Sequence, residues 1–331
     1  MTIRLGIVGV GKVATGNYLP HLSNIDDVEL AYVSRSRTAV NAAVEAFGGT
    51  AMATANELAE WKPDAVFVLT ADHAHRATVA ELVDLGVPRI FVEKPLVADN
   101  GQAAVSEADF HAACELVGRA RARGIQLAMN FNYRSFASVR LANSIATDRE
   151  FGKVLSVAAT SHFACWSHVI DLTGQLVGTV SQVTALSSAG ERGGAGLVAP
   201  DLAVAFRTAD DAVGTLIGTA GVAWQHPLFD VSIIYERGRI RLSDLDGTVV
   251  VHDAAANRTE SSAPSHDTSR WDAYAASFAT AIDAYLSSLR AEVDPPVPVR
   301  DGLVQLQFEA AVRRSLAEGR TITLARDLPL D

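Results

Sequence analysis

A glycine-rich segment near the N-terminus has the composition of a phosphate-binding turn. The residues Gly9-Val10-Gly11-Lys12-Val13-Ala14 follow an apolar, β-branched run and precede a helical pattern. Gly9 allows a tight turn, Gly11 allows a pyrophosphate to approach the backbone, and Ala14 permits close packing of a helix on a strand. Phosphates at this position meet free N–H groups at a helix N-terminus, where the helix dipole favours negative charge. The pattern predicts a dinucleotide site that includes Gly9, Gly11, Lys12 and Val13.

The end of the second predicted strand bears on the choice between the two nicotinamide coenzymes. An NAD site usually has an acidic residue about 20 residues beyond the glycines, which binds the ribose 2′-hydroxyl. This chain has Ser34 and Arg35 at the corresponding place, followed by Arg37. A hydroxyl and a guanidinium can bind a 2′-phosphate, and no carboxylate is there to repel it. The sequence favours NADP(H) over NAD(H); the alternative is that both arginines are ordinary surface charges.

A lysine follows another apolar run, in the segment Phe91-Val92-Glu93-Lys94-Pro95-Leu96. At the carboxyl end of a parallel strand, Lys94 would lie beside the crevice where the nicotinamide is expected. Burial and a positively charged nicotinamide both favour the neutral amine, which can exchange a proton with a hydroxyl or hydrogen-bond it. We therefore expect Lys94 to act in acid–base chemistry and Glu93 to fix the loop or the coenzyme. A lysine that only caps a strand end is the alternative.

The elements that position these residues change in character along the chain. Short β-branched runs alternate with helical segments to about residue 130, which indicates a parallel sheet covered on both faces. After Arg134 strand-like runs follow with few helices between them, which is typical of an antiparallel sheet. The predicted class is α/β. A Rossmann domain with a doubly wound parallel sheet spans residues 1–133, and an α+β domain with a large, mostly antiparallel sheet spans residues 134–331. One alternative is that a closing helix packs back on the first domain. The Ser- and Thr-rich stretch Arg258–Ser269 is predicted to be a loop.

Composition excludes several classes of protein. The chain has 331 residues, of which 49% are hydrophobic and 20% charged, so it is globular rather than disordered. Its 28 Lys and Arg against 38 Asp and Glu give a net charge of −10, which argues against nucleic acid as a partner. Two cysteines, Cys114 and Cys165, suit a reducing compartment. No membrane-spanning run or signal-peptide pattern is evident, so we expect a cytoplasmic protein.

Further segments, in a fixed order along the chain, complete a family pattern. They are Thr70-Ala71-Asp72-His73-Ala74-His75, Asn130-Phe131-Asn132-Tyr133-Arg134, Phe151-Gly152-Lys153-Val154, His168-Val169-Ile170-Asp171-Leu172 and Tyr274-Ala275-Ala276-Ser277-Phe278. With the glycine turn and Glu93-Lys94-Pro95, they make the chain resemble the Gfo/Idh/MocA (glucose-fructose oxidoreductase / inositol dehydrogenase) family over nearly its whole length. The resemblance implies an NAD(P)-dependent oxidoreductase with a catalytic Lys94 and a cis peptide before Pro95.

The resemblance also implies contacts beyond the lysine. It places Thr70 and His75 near the nicotinamide, although capping a helix start explains His75 nearly as well. Asn130, Asn132 and Arg134 become candidates for substrate contact. It further implies a homo-oligomer, a dimer or tetramer, built through the exposed face of the second-domain sheet.

The chain departs from the family at its second proton-handling position. Family members commonly have an Asp four residues before a His on the first helix of the second domain. The His aligns with His168, but the Asp position is Ala164, which has no ionisable group. Asp171 is left with two interpretations: it orients the imidazole of His168, or it contacts a neighbouring segment. His162 is a speculative replacement for the missing acid, with a structural histidine as the alternative, and Trp166 is a candidate pocket residue.

One alternative for the same segment is a metal site. His162, Cys165, His168 and Asp171 fall at intervals of three residues and are all metal-ligand types. On one helix the first and last point to opposite faces, an objection that weakens if the segment is part strand and part helix. Because the family and coenzyme signals already account for His168, we expect no metal.

The resulting hypothesis is an enzyme that prefers NADP(H). It moves a hydride to or from a secondary alcohol or ketone carbon of a sugar, cyclitol or related polyol, with Lys94 and His168 as catalytic residues. Two alternatives stay open, and the missing acid at Ala164 supports the first of them, whereas the intact Glu93-Lys94-Pro95 opposes it. One is a catalytically silent dinucleotide sensor, and the other is an enzyme that uses bound NAD(P) transiently for epimerisation, elimination or hydrolysis.

Overall fold

The computed structural model describes residues 2–194, 196–223 and 226–330. The chain forms two units. The first comprises the residues up to Phe131 together with Phe278–Leu306, and the second comprises Asn132–Ser277 together with the residues from Gln307 onward. Two long helices, α8 (Arg270–Ala291) and α9 (Val299–Glu318), each begin in one unit and end in the other.

The apolar runs of the N-terminal segment form one six-stranded parallel sheet in the order β3-β2-β1-β4-β5-β6. Its strands are β1 (Ile3–Val8), β2 (Val28–Val33), β3 (Thr50–Ala51), β4 (Ala65–Val68), β5 (Arg89–Glu93) and β6 (Gln126–Asn130). The segments between them form a π-helical turn (Ala14–Tyr18), α1 (Leu19–Leu22), α2 (Arg37–Phe47), α3 (Ala55–Glu60), α4 (His75–Asp84) and α5 (Glu107–Ala122). This order confirms the predicted doubly wound sheet.

Aromatic rings from distant parts of the chain form the core of the first unit. Phe67 of β4 stacks on Phe91 of β5, with ring centroids 4.6 Å apart. Tyr285 of α8 lies 4.7 Å from Phe91 and 5.5 Å from Phe67, and Phe278 lies 5.3 Å from Tyr18. Residues of α8 therefore complete the hydrophobic core around β4 and β5.

The second unit is built on a nine-stranded sheet in the order β14-β13-β12-β11-β7-β10-β9-β8-β15. All its pairs are antiparallel except β7 with β10, which confirms the predicted mostly antiparallel sheet. The strands are β7 (Val154–His162), β8 (Val180–Gly194), β9 (Leu197–Thr208), β10 (Val213–Thr219), β11 (Phe229–Tyr235), β12 (Gly238–Ser243), β13 (Val249–Asp253), β14 (Arg258–Ser262) and β15 (Ile322–Thr323). The helices α6 (Ala137–Asp148), α7 (Trp166–Val177) and α10 (Leu324–Asp327) also belong to this unit.

The prediction of a loop over Arg258–Ser269 is wrong in its first part, because β14 forms there and pairs with β13. The turn between the two strands contains Asn257 at a φ of 47°, and the Asp253 carboxylate accepts a hydrogen bond from the Ala256 N–H at 3.0 Å. Arg149 of the neighbouring segment binds both Asp253 (3.4 Å) and Glu260 (2.6 Å). The turn residues and these ion pairs therefore stabilise β14, although its sequence has no alternating apolar pattern.

No helix in the described part of the chain is long and apolar enough to cross a membrane.

Candidate active site

The glycine turn lies directly after β1, where the backbone makes a sharp change of direction. Gly9 has a φ of 98°, and its N–H donates to the Val33 carbonyl oxygen at 2.9 Å. A Cβ atom on Gly9 would lie 2.6 Å from the Thr70 nitrogen, so no larger residue fits without backbone movement. A Cβ atom on Gly11 would meet no atom within 4 Å. Gly9 therefore closes the turn against the end of β4, whereas the space at Gly11 is open for a ligand.

A cleft of about 570 Å³ adjoins this turn. It brings together five of the predicted coenzyme residues, namely Gly9, Gly11, Ser34, Arg35 and Thr70. Its charged lining residues are Arg35 and Glu81. The Thr70 hydroxyl oxygen is buried, and no described residue hydrogen-bonds to it. The space at Gly11 and the open hydroxyl at Thr70 fit a dinucleotide whose phosphates approach the backbone.

The other predicted coenzyme residues do not line this cleft. Lys12 and Val13 are exposed directly before the π-helical turn, and the guanidinium of Arg37 donates to the Met52 carbonyl oxygen at 3.4 Å. His75, Glu93 and Lys94 lie around the ends of β4 and β5 instead.

Glu93 is the centre of a buried hydrogen-bond network at the end of β5. One carboxylate oxygen accepts from the Tyr18 hydroxyl and from Asn130 Nδ2, the latter at 2.8 Å. The other accepts from the Lys94 N–H at 3.1 Å. Glu93 is 8% exposed and Asn130 1% exposed, so both side chains fix the strand ends within this unit. Substrate contact by Asn130 stays a prediction.

Lys94 follows immediately, and the Lys94–Pro95 peptide is cis, as expected from the family resemblance. The half-buried Lys94 ammonium donates to Gln102 Oε1 at 2.8 Å. Sequence reasoning missed Gln102, because nothing in its local pattern distinguishes it from other loop glutamines.

His75 lies fully buried between the two strand ends. Its Nδ1 is 2.7 Å from the Pro95 carbonyl oxygen, and its Nε2 is 3.1 Å from the Thr70 carbonyl oxygen. Burial lowers the pKa of His75, although both carbonyl groups and the Glu93 carboxylate partly oppose this effect. The side chain thus links the residue after Lys94 to the wall of the cleft.

In the second unit, His168 lies in the first turn of α7 and is 2% exposed. Its ring stacks on that of Tyr133, with centroids 3.9 Å apart and an interplanar angle of 3°. The Tyr133 hydroxyl lies 3.0 Å from Cys165 Sγ. Burial, with Cys165 beside the phenol, holds the pKa of Tyr133 well above its ordinary value. The plane of the His168 imidazole is therefore fixed by an aromatic neighbour that sequence reasoning did not identify.

The remaining candidates of this unit have partners within it. Asp171 binds Arg134 Nε at 2.8 Å and Arg134 Nη2 at 2.5 Å, so its carboxylate contacts a neighbouring segment. Asn132 Nδ2 donates to Ser277 Oγ at 2.7 Å. Substrate contacts by Arg134 and Asn132 stay predictions.

His162 and Trp166 flank the turn that contains Ala164. His162 Nδ1 accepts from the Ala164 N–H at 3.0 Å, and burial lowers the pKa of the imidazole. Trp166 is buried and packs edge-to-face on Phe163 with centroids 5.4 Å apart. Within the described ranges, no group of three or more His, Cys, Asp or Glu side chains is arranged to hold a metal ion.

Sequence-family models match both parts of the chain. The model for the oxidoreductase family with an NAD-binding Rossmann fold matches residues 3–140, and the model for the C-terminal α/β domain of the same family matches residues 158–324. The chain belongs to the Gfo/Idh/MocA oxidoreductase family. The prediction of a nicotinamide-dependent oxidoreductase is therefore confirmed at the level of the family.

Solved structures of low sequence identity share the fold. An oxidoreductase from Agrobacterium radiobacter, in complex with NAD+, L-tartaric acid and magnesium, is 18% identical, with a TM-score of 0.82 over 98% of this chain and 99% of that one. The WlbA dehydrogenase from Bordetella pertussis, in complex with NADH and UDP-GlcNAcA, is 22% identical, with a TM-score of 0.77 over 100% of this chain and 99% of that one. A levoglucosan dehydrogenase in complex with NADH is 17% identical, with a TM-score of 0.79 over 98% and 99%. A comparison with curated protein sequences gave no match.

Proposed function

We propose that this oxidoreductase prefers NADP(H) and acts on a secondary alcohol or ketone carbon of a sugar, cyclitol or related polyol. The observation that carries the proposal is the cleft beside the Gly9–Gly11 turn, together with Lys94 at the end of a nearby strand of the same sheet. Two of the related structures add support for the substrate class, since one holds a nucleotide sugar acid and another is a levoglucosan dehydrogenase.

The proposed chemistry divides between the coenzyme and the chain. The bound nicotinamide supplies or accepts the hydride. In the direction of alcohol oxidation, the Lys94 amine takes the proton from the hydroxyl oxygen; in reduction, the ammonium returns a proton to the carbonyl oxygen. Glu93 holds the Lys94 backbone through the hydrogen bond to its N–H. We assign His168 as the second proton-handling residue.

The activity is tested with purified enzyme, NADP+ and a panel of sugars and cyclitols, followed at the absorbance band of the reduced nicotinamide. We expect Lys94→Ala to lose at least about a hundredfold in kcat, the usual contribution of a general acid or base. The exposed Lys153→Ala is the matched control and should retain activity. Full turnover by Lys94→Ala contradicts the proposed role. Tight coenzyme binding without activity on any substrate favours the sensor alternative, and coenzyme that copurifies without exchange favours transient redox chemistry.

The preference for NADP(H) is a separate part of the proposal. Ser34 and Arg35 line the cleft at the end of β2, where a hydroxyl and a guanidinium can bind a 2′-phosphate. We expect Arg35→Ala to weaken NADPH binding about tenfold and to leave NADH binding nearly unchanged. Arg37→Ala is the control, because Arg37 lies outside the cleft lining. Calorimetric titration measures both affinities, and tighter binding of NADH by the unmodified enzyme overturns the preference.

We also propose that the enzyme self-associates through the outer face of the second-unit sheet. The strands β8 and β10 expose apolar side chains on this face, including Leu186 (73% exposed), Val213 (51%) and Ile217 (37%). The register places these three on one face, because Leu186 pairs with Ala203 and Ala203 pairs with Ile217. An apolar patch of this kind on a sheet indicates a protein partner, and a second copy of the chain supplies a self-complementary one.

A further inference from the structure

We propose that Gln102 is a positioning residue for Lys94, an assignment that rests on the proposed catalytic role of that lysine. The Lys94 ammonium donates to Gln102 Oε1 at 2.8 Å. Gln102 lies in the loop between β5 and α5, at the start of a short 3₁₀ turn (Gln102–Ala104). The contact gives the flexible four-carbon lysine stem a defined end point beside the strand ends.

The backbone of Gln102 is fixed by Asp72, a residue of the turn that follows the neighbouring strand β4. Its N–H donates to Asp72 Oδ2 at 2.8 Å, and Asp72 Oδ1 accepts from the His73 N–H at 2.8 Å. Asp72 begins the turn that follows β4, and β4 pairs with β5. Gly101, at a φ of 87°, lets the chain turn so that the Gln102 N–H faces Asp72. The chain of contacts from Asp72 through Gln102 to Lys94 therefore joins the ends of two adjacent strands.

A buried carboxylate closes the base of the same loop. Asp109, which is 2% exposed, accepts from the Asp99 N–H at 2.8 Å and from the Ser106 N–H and hydroxyl at 2.8 and 2.6 Å. On the outer side Asp99 also pairs with Arg76 at 2.7 Å, but this pair is exposed. Gln102 is thus presented by a loop fixed at its base and at its tip.

The type of acceptor has a chemical consequence for the lysine. An amide oxygen accepts a hydrogen bond from one of the three ammonium N–H groups and carries no charge of its own. A carboxylate at the same position would favour the charged form. The ionisable side chains around this segment include Glu93, which binds the Lys94 N–H, Asp72, and His75, which contacts the Pro95 carbonyl group, with Asp99 and Asp109 in the loop itself. They are the same in every variant described below.

Two variants of Gln102 separate position from charge. Gln102→Met has similar length but no strong acceptor, and Gln102→Glu keeps an acceptor oxygen and adds a charge. We expect Gln102→Met to lower kcat about tenfold with little change in KM or in NADPH affinity, because the amine loses its defined position. We expect Gln102→Glu to regain, at high pH, the kcat of the unmodified enzyme for alcohol oxidation. In this variant kcat should begin to rise at a higher pH than in the unmodified enzyme, because the added carboxylate favours the charged lysine. The control Arg76→Ala, which breaks only the exposed pair, should behave like the unmodified enzyme.

A second readout does not depend on turnover. The rate at which Lys94 reacts with an amine-acylating reagent is measured by peptide mass spectrometry, with Lys153 as the internal reference. We expect Lys94 to react several times faster in Gln102→Met and more slowly in Gln102→Glu. Wild-type labelling rates and wild-type kcat in both variants overturn the proposal. If labelling changes as expected but the unmodified enzyme oxidises no polyol, the positioning contact is supported and the proposed function fails.

Discussion

At the scale of single residues, a buried ion pair of the second unit predicts a large effect of one substitution on the free energy of unfolding. The Asp171 side chain is 2% exposed and binds Arg134 through two hydrogen bonds. Removal of one partner leaves the other charge in a poorly hydrated site, which usually costs about 3–5 kcal/mol in the free energy of unfolding. We expect Asp171→Asn to show a loss near the lower end of this range, since Arg134 keeps some exposure to solvent. Urea unfolding followed by circular dichroism measures it.

The matched control for this variant is an ion pair on the surface. Asp84 binds Arg119 at 2.8 Å, and both side chains are about half exposed. Asp84→Asn should change the free energy of unfolding by less than about 1 kcal/mol. Equal losses in the two variants would contradict the argument from burial.

The buried imidazole of His75 predicts a dependence of stability on pH. Burial lowers its pKa in the folded state, whereas in the unfolded chain it titrates near its ordinary value of about 6.5. Below that pH the unfolded state binds more protons, so the free energy of unfolding falls as the solution becomes more acidic. His162 contributes in the same direction, since burial lowers its pKa as well.

His75→Gln isolates the contribution of this one residue. We expect the variant to lose less stability than the unmodified enzyme between about pH 7.5 and pH 5.5, because it removes one of the groups that take up a proton on unfolding. Urea midpoints at the two pH values provide the measurement. An unchanged or steeper slope in the variant would show that folding does not lower the pKa of His75.

At the scale of elements, the turn after β1 contains two glycines with different roles. Gly9 is required by the fold, and Gly11 is required for ligand binding. A methyl group on Gly9 meets the backbone of Leu69 and Thr70 and requires a strained φ, whereas a methyl group on Gly11 meets no atom within 4 Å. We expect Gly9→Ala to lower the melting temperature and to abolish NADPH binding. Gly11→Ala should melt like the unmodified enzyme and bind NADPH at least about tenfold more weakly. Differential scanning fluorimetry and calorimetric titration measure the two properties. Unimpaired binding by Gly11→Ala would exclude the space at Gly11 as the phosphate site.

The sequence predicts elements well where burial leaves a repeating apolar pattern. The four residues of β4 are all buried, and such strands appear in a sequence as continuous apolar runs. The edge strand β14 (Arg-Thr-Glu-Ser-Ser) has no apolar alternation, and α6 begins without a capping side chain. Neither therefore carries the usual sequence signals of a strand or of a helix start.

The same limit applies to the candidate site. Backbone requirements such as those of Gly9 and Gly11 are visible in the sequence because glycine is used for specific geometry. Gln102 and Tyr133 are side chains whose roles depend on partners reached only through the fold. The Gln102 side chain accepts from Lys94 while its backbone N–H is held by Asp72, 30 residues earlier, and Tyr133 stacks on a histidine in another helix. Local spacing contains no information about either contact.

At the scale of the whole molecule, the open sheet face predicts how copies of the chain associate. Leu186 and Ile217 are exposed apolar residues of β8 and β10 on this face, and a charge at each would be buried without a partner in an interface. We expect Leu186→Lys combined with Ile217→Lys to shift the enzyme to a monomer in analytical ultracentrifugation. Val293→Lys, at an exposed apolar site in the other unit, is the control. A monomeric unmodified enzyme, or an unchanged assembly in the double variant, would contradict self-association through this face.

The aromatic core of the first unit also constrains how the chain can be made and divided. Phe67 and Phe91 lie against Tyr285, and the unit extends to Leu306. A ribosome must therefore synthesise the chain through α8 before the N-terminal sheet can bury those rings. A fragment that stops after β6 leaves these rings in water, so the parallel sheet depends for its folding on α8, which follows all the strands from β7 to β14 along the chain.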